Sequence, residues 1–195
     1  LYWNTYNNSW TVGSDNINIG CGAGQTNQGT NAVALGYQAG QTNQGTHAIA
    51  IGAFAGNSAQ QTAAIAVGFA AGRYTQGMNA VAIGYAAGLS NQRTGGIAIG
   101  YQAGEQGAAI SGNTVAIGVN AGNLNQGSNS VAIGSGAGQS NQTVNSVAIG
   151  NNAGNAFQRN ECVAIGSGAG QTAQGQLSVA IGRQAAQTNQ GVNSE

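Results

Sequence analysis

The sequence predicts an all-β protein, a parallel β-solenoid of eleven coils of about 16 residues each. Three observations predict it: a repeat of period 16, an alternation of β-branched residues inside every repeat, and glycines at fixed places in the unit. Aligned on the tetrapeptide that reads VAIG in most copies, the blocks begin at Asp15, Asn31, His47, Ala63, Asn79, Gly95, Asn113, Asn129, Asn145, Glu161 and Leu177. Ten are 16 residues long, and the block over 95–112 has 18, with its two extra residues after Gly104 in a loop. The unit is nearly pure from Asn31 to Thr46, NAVALGYQAGQTNQGT. It is too short for the paired helices of other repeat arrays, and two recurrent glycines would each cost a helix about 1 kcal/mol.

Composition excludes most other classes. The 195 residues include 35 glycines, no proline and only eight charged side chains, four of them arginine and none lysine. Such a surface offers nothing to nucleic acid, whose recognition rests on clustered cations. The apolar residues come in short bursts far below the ~18 consecutive residues of a membrane span, so no membrane insertion is expected in this segment.

Each block reads as one short strand, a glycine corner, a second extended stretch around a recurrent alanine, and a polar return loop. Positions three and five are β-branched in almost every copy (Val33, Ile49, Ile65; Ile51, Val67, Ile83), with Leu35 as the exception in the second column. They are expected to point into a thin core, against the alanine that holds position nine in all eleven copies. The invariant glycine at position six (Gly36, Gly52, Gly68) suggests a positive φ or a close backbone approach. The second glycine, at position ten, is replaced once, by Ala186, which suggests a more relaxed last coil. Position fourteen is glutamine in ten blocks, from Gln28 to Gln190, and in-register amides about 4.8 Å apart form ladders along a polar edge.

On the opposite strand face stand small residues, Ala32 with Ala34, Ala48 with Ala50, Ser130 with Ala132. This smooth uncharged stripe is read as the surface on which copies pack side by side. One Val and one Ile per coil do not offset the ordering of 16 residues, so lateral assembly is expected, and with it an oligomer.

Residues 1–14 lie outside the repeat. YWNTY and SWTV read as a hairpin turning at Asn7 and Asn8, an aromatic cap over the first coil. The solenoid occupies 15–192, about 53 Å at strand spacing, and 193–195 are read as the start of a further repeat or a tail, with Asn193 and Ser194 matching the opening of a block. Cys21 and Cys162 are nine coils apart, about 43 Å, and are read as free thiols. Asp15, His47 and Glu161 share block position one but stand too many coils apart for a proton relay, and no metal-ligand spacing occurs. No catalytic residue, cofactor or metal is therefore assigned. Position seven varies most, and Tyr37, Phe69, Tyr85 and Tyr101 form there a candidate ligand or interface strip. Asn7 and Asn141 fit the glycosylation sequon.

The recurring NSVAIG of 129–134 and 145–150 resembles the head repeats of YadA-type trimeric autotransporter adhesins, and the resemblance spans all eleven blocks. It implies a left-handed roll packed as a homotrimer; handedness rests on the resemblance alone, since crossovers in general are right-handed. The longer AGQTNQG loop looks more like fibre and surface proteins of large DNA viruses and phages. A non-enzymatic, extracellular fibre segment follows, on a cell or virion surface, with a glycan or host matrix protein as further partner. The alternatives are a solenoid that binds glycan, matrix protein or ice, and an end-to-end filament.

Overall fold

The computed structural model describes residues 2–4, 9–11, 15–106 and 112–194. Every block supplies one three-residue strand, from Ile17–Ile19 to Val179–Ile181, and these eleven strands form one parallel sheet in strict coil order. The register places like on like: Val33 pairs with Ile49, Ala34 with Ala50, Leu35 with Ile51. The all-β solenoid is therefore as the repeat predicts. Before it, Tyr2–Asn4 pairs antiparallel with Ser9–Thr11, Trp3 opposite Trp10, as the two halves of a hairpin do. The hairpin's turn and the extra residues after Gly104 lie outside the described residues.

A second parallel column runs up the other wall, but at position twelve rather than around the recurrent alanine. Thr26 bridges Thr42, Thr42 bridges Ser58, Ser58 pairs with Tyr74, and the column continues to Thr188. The stretch around Ala39 is instead a tight turn, because positions eight and ten both hold left-handed backbone (Gln38 φ 52°, Gly40 φ 51°). Main-chain bonds alternate in direction around a coil. Val33, Gly40 and Thr42 donate to the following coil at 2.9, 2.9 and 3.0 Å, whereas Gly36, Gln38, Asn43 and His47 donate to the preceding one at 2.8 to 2.9 Å. All four of those last residues have positive φ, as does position one from Asn31 to Leu177. Asparagine recurs at positions thirteen and one because it tolerates that conformation better than other side chains.

Gly36 combines both reasons for glycine: φ is +129°, and an added Cβ would stand 2.7 Å from the carbonyl carbon of Gly52. At position ten a Cβ on Gly40 would meet the amide carbon of Gln44 at 2.6 Å. Ala186, the one substitute there, keeps a left-handed φ of 42°.

The strand faces are the reverse of the expected arrangement. Ala34 and Ala39, with their equivalents from coil two to coil ten and Ala180, are buried and form one continuous core, and Ala32, Ala48, Ala64 and Ala80 are buried as well. Val33 and Leu35 point outward, half-buried and exposed respectively. The cause is the width of the coil. Turns at positions six, eight and ten bring the walls so close that methyl groups meet across the slot, and a valine facing inward would overfill it.

The rest of the interior is amide. Gln44, Gln60, Gln76, Gln142, Gln158 and Gln174 are buried at 0 or 1% exposure, so the ladder runs through the core and not along a polar edge. Gln60 Nε2 donates to Ile49 O at 2.8 Å, Ala64 O at 3.2 Å and Gln76 Oε1 at 3.0 Å, while its own Oε1 accepts from Gln44 at 3.2 Å. The glutamine thus closes the open side of the slot and satisfies the strand carbonyls that face it. Where position two is serine or cysteine the small side chain is likewise satisfied: Ser146 Oγ donates to Arg159 O at 2.7 Å, and Cys162 Sγ to Gly175 O at 2.7 Å.

Three outcomes follow. Ala82→Leu overfills the slot and lowers the unfolding free energy by about 1–3 kcal/mol in a denaturant titration. Gln60→Ala takes the facing amide from Ile49 O and interrupts the ladder between Gln44 and Gln76, a loss of about 1–3 kcal/mol by the same measurement. Leu177, 47% exposed and at φ 59°, is strained without packing in return; Leu177→Asn raises stability by about 1 kcal/mol and moves the thermal midpoint up.

Candidate interaction faces

Because the core takes only small side chains and the glutamine amides, the large aliphatic side chains stand on the outside as two adjoining columns. One runs through Ile17, Val33 and Ile49 to Val179, the other through Ile19, Leu35 and Ile51 to Ile181. Within the array the first column is half-buried by its own neighbours; in the second, Leu35 is 39% exposed, Ile83 38% and Ile133 36%. The face carries no charge and no polar side chain, extends about 48 Å over eleven rungs, and is flat because every rung repeats the one beneath. A contiguous apolar surface of this kind has the character of protein–protein interfaces. The small-residue stripe expected in this role is buried in the core.

The aromatic strip exists and is longer than the four residues read from position seven. Tyr37 meets Phe54 edge-on at 5.2 Å, Phe54 meets Phe69 edge-on at 5.8 Å, and Phe69, Tyr85 and Tyr101 stack at 5.2 Å with interplanar angles of 12° and 10°. Phe54 stands at position eight and fills the gap left by Ala53; a column-by-column reading misses a ring displaced by one residue. The Arg73 guanidinium lies 4.6 Å over Phe54 and 4.8 Å over Tyr74. The four tyrosine and phenylalanine residues of position seven are 45 to 49% exposed. The flat faces of Phe69, Tyr85 and Tyr101 are used on one another, which leaves ring edges and the tyrosine hydroxyls outward.

Other chemistry-bearing residues do not converge. His47 lies beside Asn31 at 3.3 Å, the next residue down its column, and Asp15 and Glu161 stand on other coils. No group of three His, Cys, Asp or Glu able to hold a metal ion occurs among the described residues. Cys21 is exposed and Cys162 buried, both as free thiols. Asn141 accepts from Asn125 at 3.0 Å as part of an amide column, and Asn7 lies outside the described residues. Among the described residues no helix is long and apolar enough to cross a membrane.

Comparison with curated proteins and with solved structures yields no match. The YadA head domain repeat matches in two copies, over residues 28–40 and 142–153. Each matched segment starts at a ladder glutamine, Gln28 or Gln142, runs through the strand and ends in the tight turn beyond the corner glycine. Those are the elements that close one coil of the roll. Together with the parallel solenoid that surrounds them, the two matched segments fit YadA-type head repeats.

Proposed function

We propose that the chain is a non-enzymatic, adhesin-like structural segment of a surface fibre, in which parallel copies associate as a homotrimer through their valine and isoleucine columns. One observation carries the reading: the most apolar side chains of every coil are outside, and the core is complete without them. A single chain gains nothing by holding eleven rungs of β-branched residues in water. Copies aligned side by side would remove them from it, at roughly 25 cal/mol per Å² of apolar surface covered. Three copies, and an extracellular position at a cell surface, follow from the resemblance to trimeric adhesin heads.

The role is mechanical. A rod about 53 Å long holds whatever is attached to it at a fixed distance, and three copies add avidity to weak contacts. Glycan or host matrix protein is the class of partner that such a rod would meet.

Sedimentation velocity of the segment tests this. A discrete trimer is expected, and Ile83→Asp with Ile133→Asp, which buries carboxylates in the shared face, gives monomers that keep the far-UV β spectrum. A monomeric parent chain overturns the reading; open-ended polymers replace it with a filament.

A further inference from the structure

We infer that the aromatic ribbon sets the axial register between copies of this chain, an inference that rests on the self-association proposed above. The shared face cannot set it. Its rungs repeat Val or Ile over Val, Leu or Ile at strand spacing, so sliding one copy along another by one coil, about 4.8 Å, exchanges like for like. Slippage of this kind is the known weakness of uniform strand surfaces, and it is cured by features that break the repeat.

The ribbon is such a feature. Its rings occupy coils two to six and stop: the same position carries Cys21 before it, and Val119, Ser135, Asn151, Ser167 and Arg183 after it. It borders the aliphatic face, since position seven follows position five across the single corner glycine. The exposure that Tyr37, Phe69, Tyr85 and Tyr101 retain therefore adjoins the surface that a neighbouring copy would cover. The stacking geometry favours a protein partner over a sugar. A pyranose needs an open ring face, and here Phe69, Tyr85 and Tyr101 cover one another at 5.2 Å. Outward ring edges and hydroxyls suit edge-to-face contact with another ribbon. Aligned copies match all five rings, whereas a shift of one coil sets Tyr101 beside Val119 and leaves a ring unmatched at each end.

The test is cross-linking between differently marked copies, with Cys21→Ser throughout. Chains carrying Ile133→Cys are refolded with chains carrying Ile133→Cys, Ile149→Cys or Ile165→Cys, oxidised, and the yields of each pair compared. With the ribbon intact, one axial offset is expected to dominate by tenfold or more. With Tyr37, Phe69, Tyr85 and Tyr101 all changed to Ser, the offsets come within about threefold of one another while sedimentation still gives the same oligomer. The substituted chain keeps its coil, because Ser135 and Ser167 already hold that position elsewhere in the array. The inference is overturned by a single dominant offset in the substituted chain, by scattered offsets in the parent, or by a substituted chain that is monomeric, which would make the ribbon a source of affinity. Loss of glycan-array binding with unchanged offsets would make it a ligand strip. A parent chain that sediments as a monomer defeats the self-association itself, and that is read before any cross-linking.

Discussion

Two walls of backbone held one methyl apart on each side determine everything else in this molecule. The spacing comes from tight corners at positions six, eight and ten, and it admits alanine on both walls and a single glutamine at the open end of the slot. Given that width, glycine at position six is compulsory, since a Cβ on Gly84 would stand 2.8 Å from the carbonyl carbon of Gly100. The aliphatic residues are displaced outward for the same reason. A core of methyls and amides releases little hydrophobic free energy per coil, and main-chain and amide bonds along the axis supply the cohesion. Stability is then shared between each coil and its two neighbours, as in other stacked repeats.

How much of this could be read from the sequence depended on whether a column's residue type has one physical meaning or two. Gly36 and Gln44 have one each: a corner that rejects a side chain, and an amide that bonds its own copy. Both were legible, although Gln44 was read at an edge and lies in the core. Val33 and Ala34 have two, because alternation shows that they face opposite ways without saying which way is in. The usual rule, larger apolar residue inside, fails when the interior is narrower than a valine. Only the turn geometry settles it, and the αL residues that produce the turns, such as Gln38 and Ala70, carry no compositional mark. Position nine did contain the clue, since eleven alanines on one wall imply a facing wall equally close.

The site shows the same division. Tyr37, Phe69, Tyr85 and Tyr101 were visible because they share a column, and Phe54 was not because it sits one residue out of it. A stripe too regular and too neutral to be an ordinary wet surface is legible in the sequence, but two such stripes exist, and the alanine one lies in the core. Reversing the faces strengthens the inference of an interface, because eleven rungs of valine and isoleucine lose more by contact with water than eleven rungs of alanine.

The scarcity of charge follows from the stacking itself. In a solenoid of constant period each side chain stands about 4.8 Å from its own copy above and below, where like unit charges repel by roughly 0.9 kcal/mol even in bulk water, and more beside the protein. A charged column multiplies that cost by its length. An amide is both donor and acceptor, so copies placed at the same distance attract: Gln41 bonds Gln25 at 3.0 Å, Asn57 bonds Gln41 at 3.1 Å, and Asn155 bonds Gln139 at 3.0 Å. Charges are tolerated singly, between neutral neighbours. Glu105 accepts from Asn123 at 3.0 Å in that same column, and Arg73 is enclosed by rings instead of by another cation. The Asn- and Gln-rich, nearly uncharged composition is therefore a product of the repeat geometry, and it leaves the aliphatic and aromatic columns as the features by which the outer surface can distinguish a partner.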